Sequence, residues 1–224
     1  MPEQLLFRDL GNMDYQQAWD FQETLFQELI KNKDSRKDAG HLLFVEHPHV
    51  YTLGKSGSET NLLVNEDFLR SKGASFYRIN RGGDITYHGP GQIVGYPIIN
   101  LDRFEIGVRE YIFRLEEAVI LTLAKFDISA SRLEGATGVW LDPEVKGKSR
   151  KICAIGVRAS RGVTMHGFAF NVNTDLRFYD YINPCGFTDR GVTSMEKELG
   201  TAQDIEKVKA SLKIVLAQVF GCVI

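Results

Sequence analysis

The chain has 224 residues, 43% of them hydrophobic and 25% charged, with a net charge of −2 at neutral pH. That length can bury a sizeable core, the composition is that of an ordinary soluble globular protein, and the charge gives no overall case for nucleic acid or an anionic membrane. No apolar stretch approaches the ~20 residues a membrane span needs, and the opening Met1-Pro2-Glu3-Gln4 lacks the basic region and apolar core of a secretory signal. Three cysteines, Cys153, Cys185 and Cys222, cannot complete a disulfide framework and match no zinc spacing. A cytoplasmic, reducing setting that leaves a thiol free to react is therefore expected.

Between residues 14 and 33 apolar side chains recur at Tyr15, Ala18, Trp19, Phe21, Leu25, Phe26, Leu29 and Ile30. The period is near 3.6 and Asp14 can cap it, which predicts an amphipathic helix. A polar loop follows, then short strands over 42–45 and 50–53, split by His47-Pro48-His49. Asn65 caps a short helix ending before Gly73, and 74–79 returns to strand. Residues 93–101 read as a strand in which Pro97 points to an edge or a bulge. A helix over 108–125 is followed by strands over 128–133, 138–141, 151–159 and one or two within 163–173, and a helix over 204–219 closes the chain. Strands and helices interleave without regular βαβ alternation, so the fold class is α+β, a mixed β-sheet flanked by helices.

The run Arg81-Gly82-Gly83-Asp84-Ile85-Thr86-Tyr87-His88-Gly89-Pro90-Gly91-Gln92 is dense in glycine. Glycine lets backbone approach a ligand closely, although it serves a hairpin between strands equally well. Arg81 and His88, flanking the glycines, favour a ligand floor with polar groups at both ends. Nucleotide motifs fail on test. Gly147-Lys148-Ser149 needs a first glycine where Asp142 stands, Gly54-Lys55-Ser56 needs one at His49, and Gly89, Gly91 and Gly95 are spaced one residue too long for a dinucleotide fingerprint. His47-Pro48-His49 has no acidic or cysteine partner at ligand spacing, so a proline bend explains it better than a metal. Neither a metal nor another cofactor is expected.

Lys151 opens an otherwise apolar strand, which either lets it snorkel to solvent beside Lys146, Lys148 and Arg150 or brings its ammonium to a thiol inside a cleft. Cys153 shares its strand face but sits among Ile152, Ala154 and Ile155, where cysteine is usually an inert hydrophobe. Cys222 lies near the C-terminus. Cys185, between Pro184 and Gly186, has the loop context of a reactive thiol. An unperturbed thiol with pKa ~8.5 is only a few per cent ionised at neutral pH, and lowering it by about two units needs roughly 2.7 kcal/mol. One close ammonium with a backbone N–H or two can supply that.

Tyr51-Thr52-Leu53-Gly54, residues 81–92, Gly138-Val139-Trp140, Lys151-Ile152 with Ala154-Ile155-Gly156-Val157, His166-Gly167-Phe168-Ala169 with Asn171-Val172, Pro184-Cys185-Gly186 and Gly191-Val192-Thr193-Ser194 stand in one order. In that order they resemble the lipoyl(octanoyl) transferase family over about residues 40–200. The resemblance implies a fold like the catalytic domain of biotin and lipoate protein ligases, a single domain over 1–224 with the ligase-like part at 38–220 and the helix at about 14–33 packed on it. It implies octanoyl transfer from octanoyl-acyl carrier protein to a lysine of lipoyl domains, those of 2-oxoacid dehydrogenases and the glycine cleavage H protein. Cys185 then matches the acyl-thioester cysteine and Lys151 the lysine that lowers its pKa and shuttles the proton. Arg81, Gly82, Gly83, Asp84, Ile85, Thr86, Tyr87 and His88, with Ala154, Ile155, Gly156, Gly167, Phe168 and Ala169, match substrate-binding segments. His49 stands where many relatives carry proline, and Phe170 where leucine is common, a change expected to bear on the acyl pocket. Lys146, Lys148, Arg150, Arg158 and Arg161 are candidate docking charges for acidic partners. The rivals are an ATP-dependent lipoate or biotin ligase on the same fold and a non-catalytic module that binds the acyl carrier.

Overall fold

The computed structural model describes residues 2–33, 39–183 and 190–224. In chain order its elements are β1 (Glu3–Asn12), α1 (Tyr15–Lys31), β2 (Gly40–Glu46), β3 (Val50–Leu53), α2 (Glu66–Ser71), β4 (Ser75–Arg78), β5 (Ile85–His88) and β6 (Gln92–Ile99). Then come α3 (Val108–Ala124), β7 (Ser131–Leu133), β8 (Ala136–Leu141), β9 (Arg150–Ser160), β10 (Val163–Asn171), β11 (Gly191–Val192), α4 (Met195–Leu199), α5 (Ile205–Phe220) and β12 (Cys222–Val223). Short 3-10 turns stand at Glu59–Asn61, Leu101–Phe104 and Leu176–Tyr181.

The main sheet runs β12-β1-β2-β6-β10-β9-β8-β7, with β11 laid beside the first residues of β9. β1 is parallel to β12 and β2, while β2, β6, β10, β9, β8 and β7 pair antiparallel. A smaller sheet, β4-β3-β5, pairs β3 parallel to β4 and antiparallel to β5. Every residue of β6 and of β10 is buried, because helices cover both faces of the main sheet. On one face α3 and α5 bring Tyr111, Leu115, Val119, Leu212 and Leu216 onto Phe44, Ile93 and Phe170. On the other face Ala18, Leu25, Phe26 and Leu29 of α1 pack on Val94, Tyr96, Ile98 and Met165. Strands buried on both faces read as unbroken apolar runs rather than alternating ones.

The helices follow their caps. The Asp14 carboxylate accepts from the N–H groups of Gln16 and Gln17, Asn65 from that of Phe68, and Asp204 from those of Glu206 and Lys207, so α1, α2 and α5 begin where the sequence predicts. Pro97 departs from expectation, since β6 is an interior strand between β2 and β10. The missing N–H is tolerated because the β6–β10 ladder covers only Gln92 to Gly95 and resumes at the Asn100–Val163 bridge, with His166, at φ +61°, in the unpaired stretch between. There the Thr164 hydroxyl donates to the Pro97 carbonyl and accepts the Ile99 N–H, at 2.8 and 3.0 Å. β1, β5, β11, β12 and α4 have no counterpart among the predicted elements, and the strand predicted over 128–133 is shortened to Ser131–Leu133, with Ile128 buried in the core instead.

Candidate active site

β5, β9, β10 and the loop before β5 enclose a cleft of about 580 Å³, within the range of about 300–1,000 Å³ typical of small-ligand sites. Of the residues that the resemblance assigns to substrate, Arg81, Gly82, Gly83, Asp84, Ile85, Thr86, His88, Ala154, Ile155, Gly156, Gly167, Phe168 and Ala169 all line it. Its open lip is formed by Val108 and Ile112 of α3 and by Gly135, Ala136 and Thr137 at the start of β8, several of them exposed. Its far end is buried against Tyr15, Tyr96, His88 and His166. Gly156 is needed for closeness: a Cβ there would stand 2.8 Å from the Gly82 carbonyl oxygen and 3.1 Å from Arg81 Cδ.

Lys151 lines the cleft from the second residue of β9. Its Nζ lies 4.6 Å from the centroid of the Trp140 ring, and the Arg190 guanidinium lies 5.7 Å from the same ring. Lys151 is paired in register with Trp140 on one side and with Val192 on the other. A Cβ on Gly138, which has φ +122°, would meet the Cys153 carbonyl oxygen at 2.5 Å and the lysine stem at 3.4 Å, so glycine there makes room for the side chain.

At the buried end most of the polar groups bond one another or nearby backbone. Arg81 donates through Nη2 to the Thr52 carbonyl and hydroxyl at 2.7 and 2.9 Å, and through Nη1 to the Gly82 carbonyl at 3.0 Å. His88 donates from Nδ1 to Gln92 Oε1 at 2.9 Å, because the Gln92 amide nitrogen is already directed to the Tyr87 carbonyl and Asn171 Oδ1. His47 donates from Nδ1 to the Met13 carbonyl at 2.8 Å, so its Nε2 accepts the Tyr96 hydroxyl at 2.7 Å. His166 donates to Asn80 Oδ1 at 2.9 Å. Burial lowers the pKa of His47 to about 4, and burial helped by the Arg81 charge lowers those of His88 and His166 to about 3. The rings are thus neutral at physiological pH. With most of its hydrogen-bonding groups occupied, this floor lets an apolar chain lie against it at little cost in stranded donors.

Residues 14–217 match the family described as the lipoyl protein ligase A/B catalytic domain. A curated relative from Parabacteroides distasonis, named octanoyltransferase, is 53% identical over 220 residues, covering 98% of this chain and 100% of its own. The chain belongs to this family. It is an acyltransferase. A bipartite lipoate protein ligase from Thermoplasma acidophilum, solved in a study of it and its E2 lipoyl domain, superimposes with a TM-score of 0.72 at 16% identity, over 99% of this chain and 85% of that one. A biotin protein ligase from Aquifex aeolicus superimposes with a TM-score of 0.55 at 14% identity, over 96% and 70%. These two likenesses are of fold, the mixed sheet flanked by helices.

Against that family pattern several residues fall elsewhere than expected. Tyr87 does not face the cleft: fully buried, it packs in the core of the small sheet, stacks on Phe178 at 5.1 Å and bonds His49 Nδ1 through its hydroxyl at 2.7 Å. Alternation along β5 turns it away while Thr86 and His88 line the cavity, which Ile85 also reaches from the first position of the strand. Phe170 is also buried in the core beneath α3 and α5 rather than in the cleft wall. Arg150 is committed to Glu198 and Asp142, Arg158 to Glu23 and the Phe26 ring, and Arg161 sits at the β9–β10 turn, the opposite end of β9 from Lys151. Of the five candidate docking charges, Lys146 and Lys148 remain exposed near the lysine. His47 and His49 hold a tyrosine and an aromatic stack, and no cluster suited to a metal occurs among the described residues.

Cys153 is fully buried, and burial raises its thiol pKa far above the usual range despite the opposing Lys151 charge. Cys222 is buried in β12 with its pKa raised to about 11 by burial. Cys185 lies outside the described residues. The chain after it returns as β11 to the strand that carries Lys151. The sequence reading missed Tyr15, Tyr96, Asn171, Tyr179 and Val192 as cleft residues. Asn171 stands in the quoted motif, whereas Tyr15 reads only as an apolar helix position.

Proposed function

We propose that the octanoyl group reaches this acyltransferase as the thioester of acyl carrier protein and leaves it on a lysine of a lipoyl domain, with Cys185 as the intermediate carrier and Lys151 as the proton shuttle. The observation that supports this most is that Lys151 lines the same cleft as the glycine-rich run at 81–83 and the apolar segments of β9 and β10, beside three neutral, buried histidines and an Arg81 tied to Thr52 and Gly82. The Cys185 thiolate attacks the thioester carbonyl, the tetrahedral intermediate collapses, and the departing pantetheine sulfur takes a proton from the Lys151 ammonium. The acceptor lysine, as a free amine, then attacks the enzyme thioester. Lys151, now neutral, takes the proton from that nitrogen, and Cys185 leaves as thiolate. The lysine returns to its starting state, and the thioester supplies the driving force.

The acyl chain is expected to lie along Ala154, Ile155, Gly156, Gly167, Phe168 and Ala169, under the backbone of residues 81–86. Each buried CH₂ contributes ~0.8 kcal/mol, enough for a closed end to rank chain lengths. Lys146 and Lys148 are left as docking charges for acidic partners, and the setting is read as cytoplasmic. Among the described residues no helix is long and apolar enough to cross a membrane.

Incubation with octanoyl-acyl carrier protein should add one octanoyl mass to the protein, mapped by digestion to the peptide of Cys185. Cys185→Ser should abolish lipoyl-domain octanoylation, and near-normal turnover would remove the nucleophile assignment. Lys151→Arg keeps a cation but cannot act as a base near neutral pH, so it should retain thiol reactivity and lose turnover. ATP-driven pyrophosphate exchange would favour a ligase instead.

A further inference from the structure

We propose that Thr193 and Glu198 are positioning residues that hold Lys151 in place, an inference that rests on the reading of Lys151 given above. The ladder between β9 and β10 stops at Cys153, short of Arg150 and Lys151. β11 pairs there: Val192 lies opposite Lys151, the Gly191 N–H donates to the Ser149 carbonyl at 2.9 Å, and the Thr193 N–H donates to the Lys151 carbonyl at 2.9 Å. A strand this short does not hold itself, since even an isolated two-stranded hairpin is marginal in water.

What holds it is a closed ring of side-chain bonds around the lysine. Thr193 is fully buried, and its hydroxyl donates to Glu198 Oε1 at 2.5 Å. The same carboxylate accepts both arms of Arg150, the residue before Lys151, at 2.6 and 2.5 Å. The two strands on which Lys151 depends are thereby tied to one carboxylate of α4, and bidentate arginine pairing fixes direction as well as distance. Arg150 is anchored again by Asp142 on the far side. The Thr193 carbonyl accepts from Asn171 Nδ2 at 3.0 Å, and Asn171 Oδ1 in turn accepts from Gln92, the partner of His88. The lysine backbone is thus registered against both the outer carboxylate and the buried end of the cleft. A four-methylene side chain amplifies any slip of its backbone, and the Nζ must keep its place to act on a sulfur.

The test follows acyl-enzyme formation by mass against time, with octanoyl-acyl carrier protein, in Thr193→Val, Thr193→Ser, Glu198→Gln and Lys151→Arg. Thr193→Val and Glu198→Gln should acylate about tenfold more slowly at unchanged final amplitude and unchanged KM for the carrier. Their acid limb should move to higher pH, because an ammonium displaced from the thiol leaves the thiol pKa higher. Thr193→Ser should recover the rate. Wild-type rates and pH limb in both variants would overturn the proposal. So would a loss confined to amplitude, which assigns these residues to folding alone. If Lys151→Arg itself acylates and turns over as wild type, the reading of the lysine fails. If it is impaired while the other two are not, the clamp alone fails.

Discussion

Cys153 and Lys151 are two residues apart on β9, yet only the lysine reaches the cleft. The thiol is sealed under α3 and α5, where burial outweighs the neighbouring ammonium and keeps it protonated. A protonated, inaccessible thiol is inert to alkylation. At pH 7 one equivalent of iodoacetamide should mark the Cys185 peptide and spare Cys153 and Cys222, and comparable labelling of Cys153 would contradict this placement. Cys153→Ala should lower stability by about 1 kcal/mol through the lost sulfur contacts and leave transfer intact. The burial of Cys153 was legible because its apolar neighbours announce it. Tyr87 was not legible, because a four-residue strand gives no sign of which parity faces the ligand until a second sheet has taken one side.

At the level of elements, α1 does more than cover the sheet. Gln22, fully buried amid its apolar stripe, accepts the backbone N–H of His166 at 3.1 Å, at a residue of positive φ that the β6–β10 ladder does not include. Tyr15, in the first turn of the same helix, lies parallel to the His88 ring at 6.0 Å and lines the cleft. Gln22→Ala should strand that buried N–H at a cost of about 1–3 kcal/mol. Thermal unfolding should drop by several degrees, at about 2–4 °C per kcal/mol for a chain of this size, and an unchanged melting point would refute the role. The helix itself was readable from period and cap. The burial of its glutamine has no local signal, because the partner stands 144 positions away.

Across the whole molecule, His47, His88 and His166 enter the interior uncharged. In the unfolded chain each binds a proton near pH 6.5, and in the folded chain only near 4 or 3. Between those values the unfolded state holds more protons, so stability is complete above about pH 6.5 and falls as pH decreases towards 4. At pH 5 each histidine should forfeit about 2 kcal/mol at most. The melting temperature should decline steadily from pH 7 to 5, with calorimetry in buffers of different ionisation enthalpy reporting uptake of about three protons on unfolding. A flat melting curve over that range would show the histidines to be solvated.

The amino-acid sequence by itself determined the α+β class, the capped helices, the lysine at the head of an apolar strand and the glycine-rich floor, since each rests on local period, capping chemistry or motif order. Tertiary structure decided which parity of β5 meets the cleft, why Pro97 survives in an interior strand, and how β11 and Glu198 frame Lys151. Those outcomes depend on contacts between residues far apart in the chain, and no local pattern carries information about them.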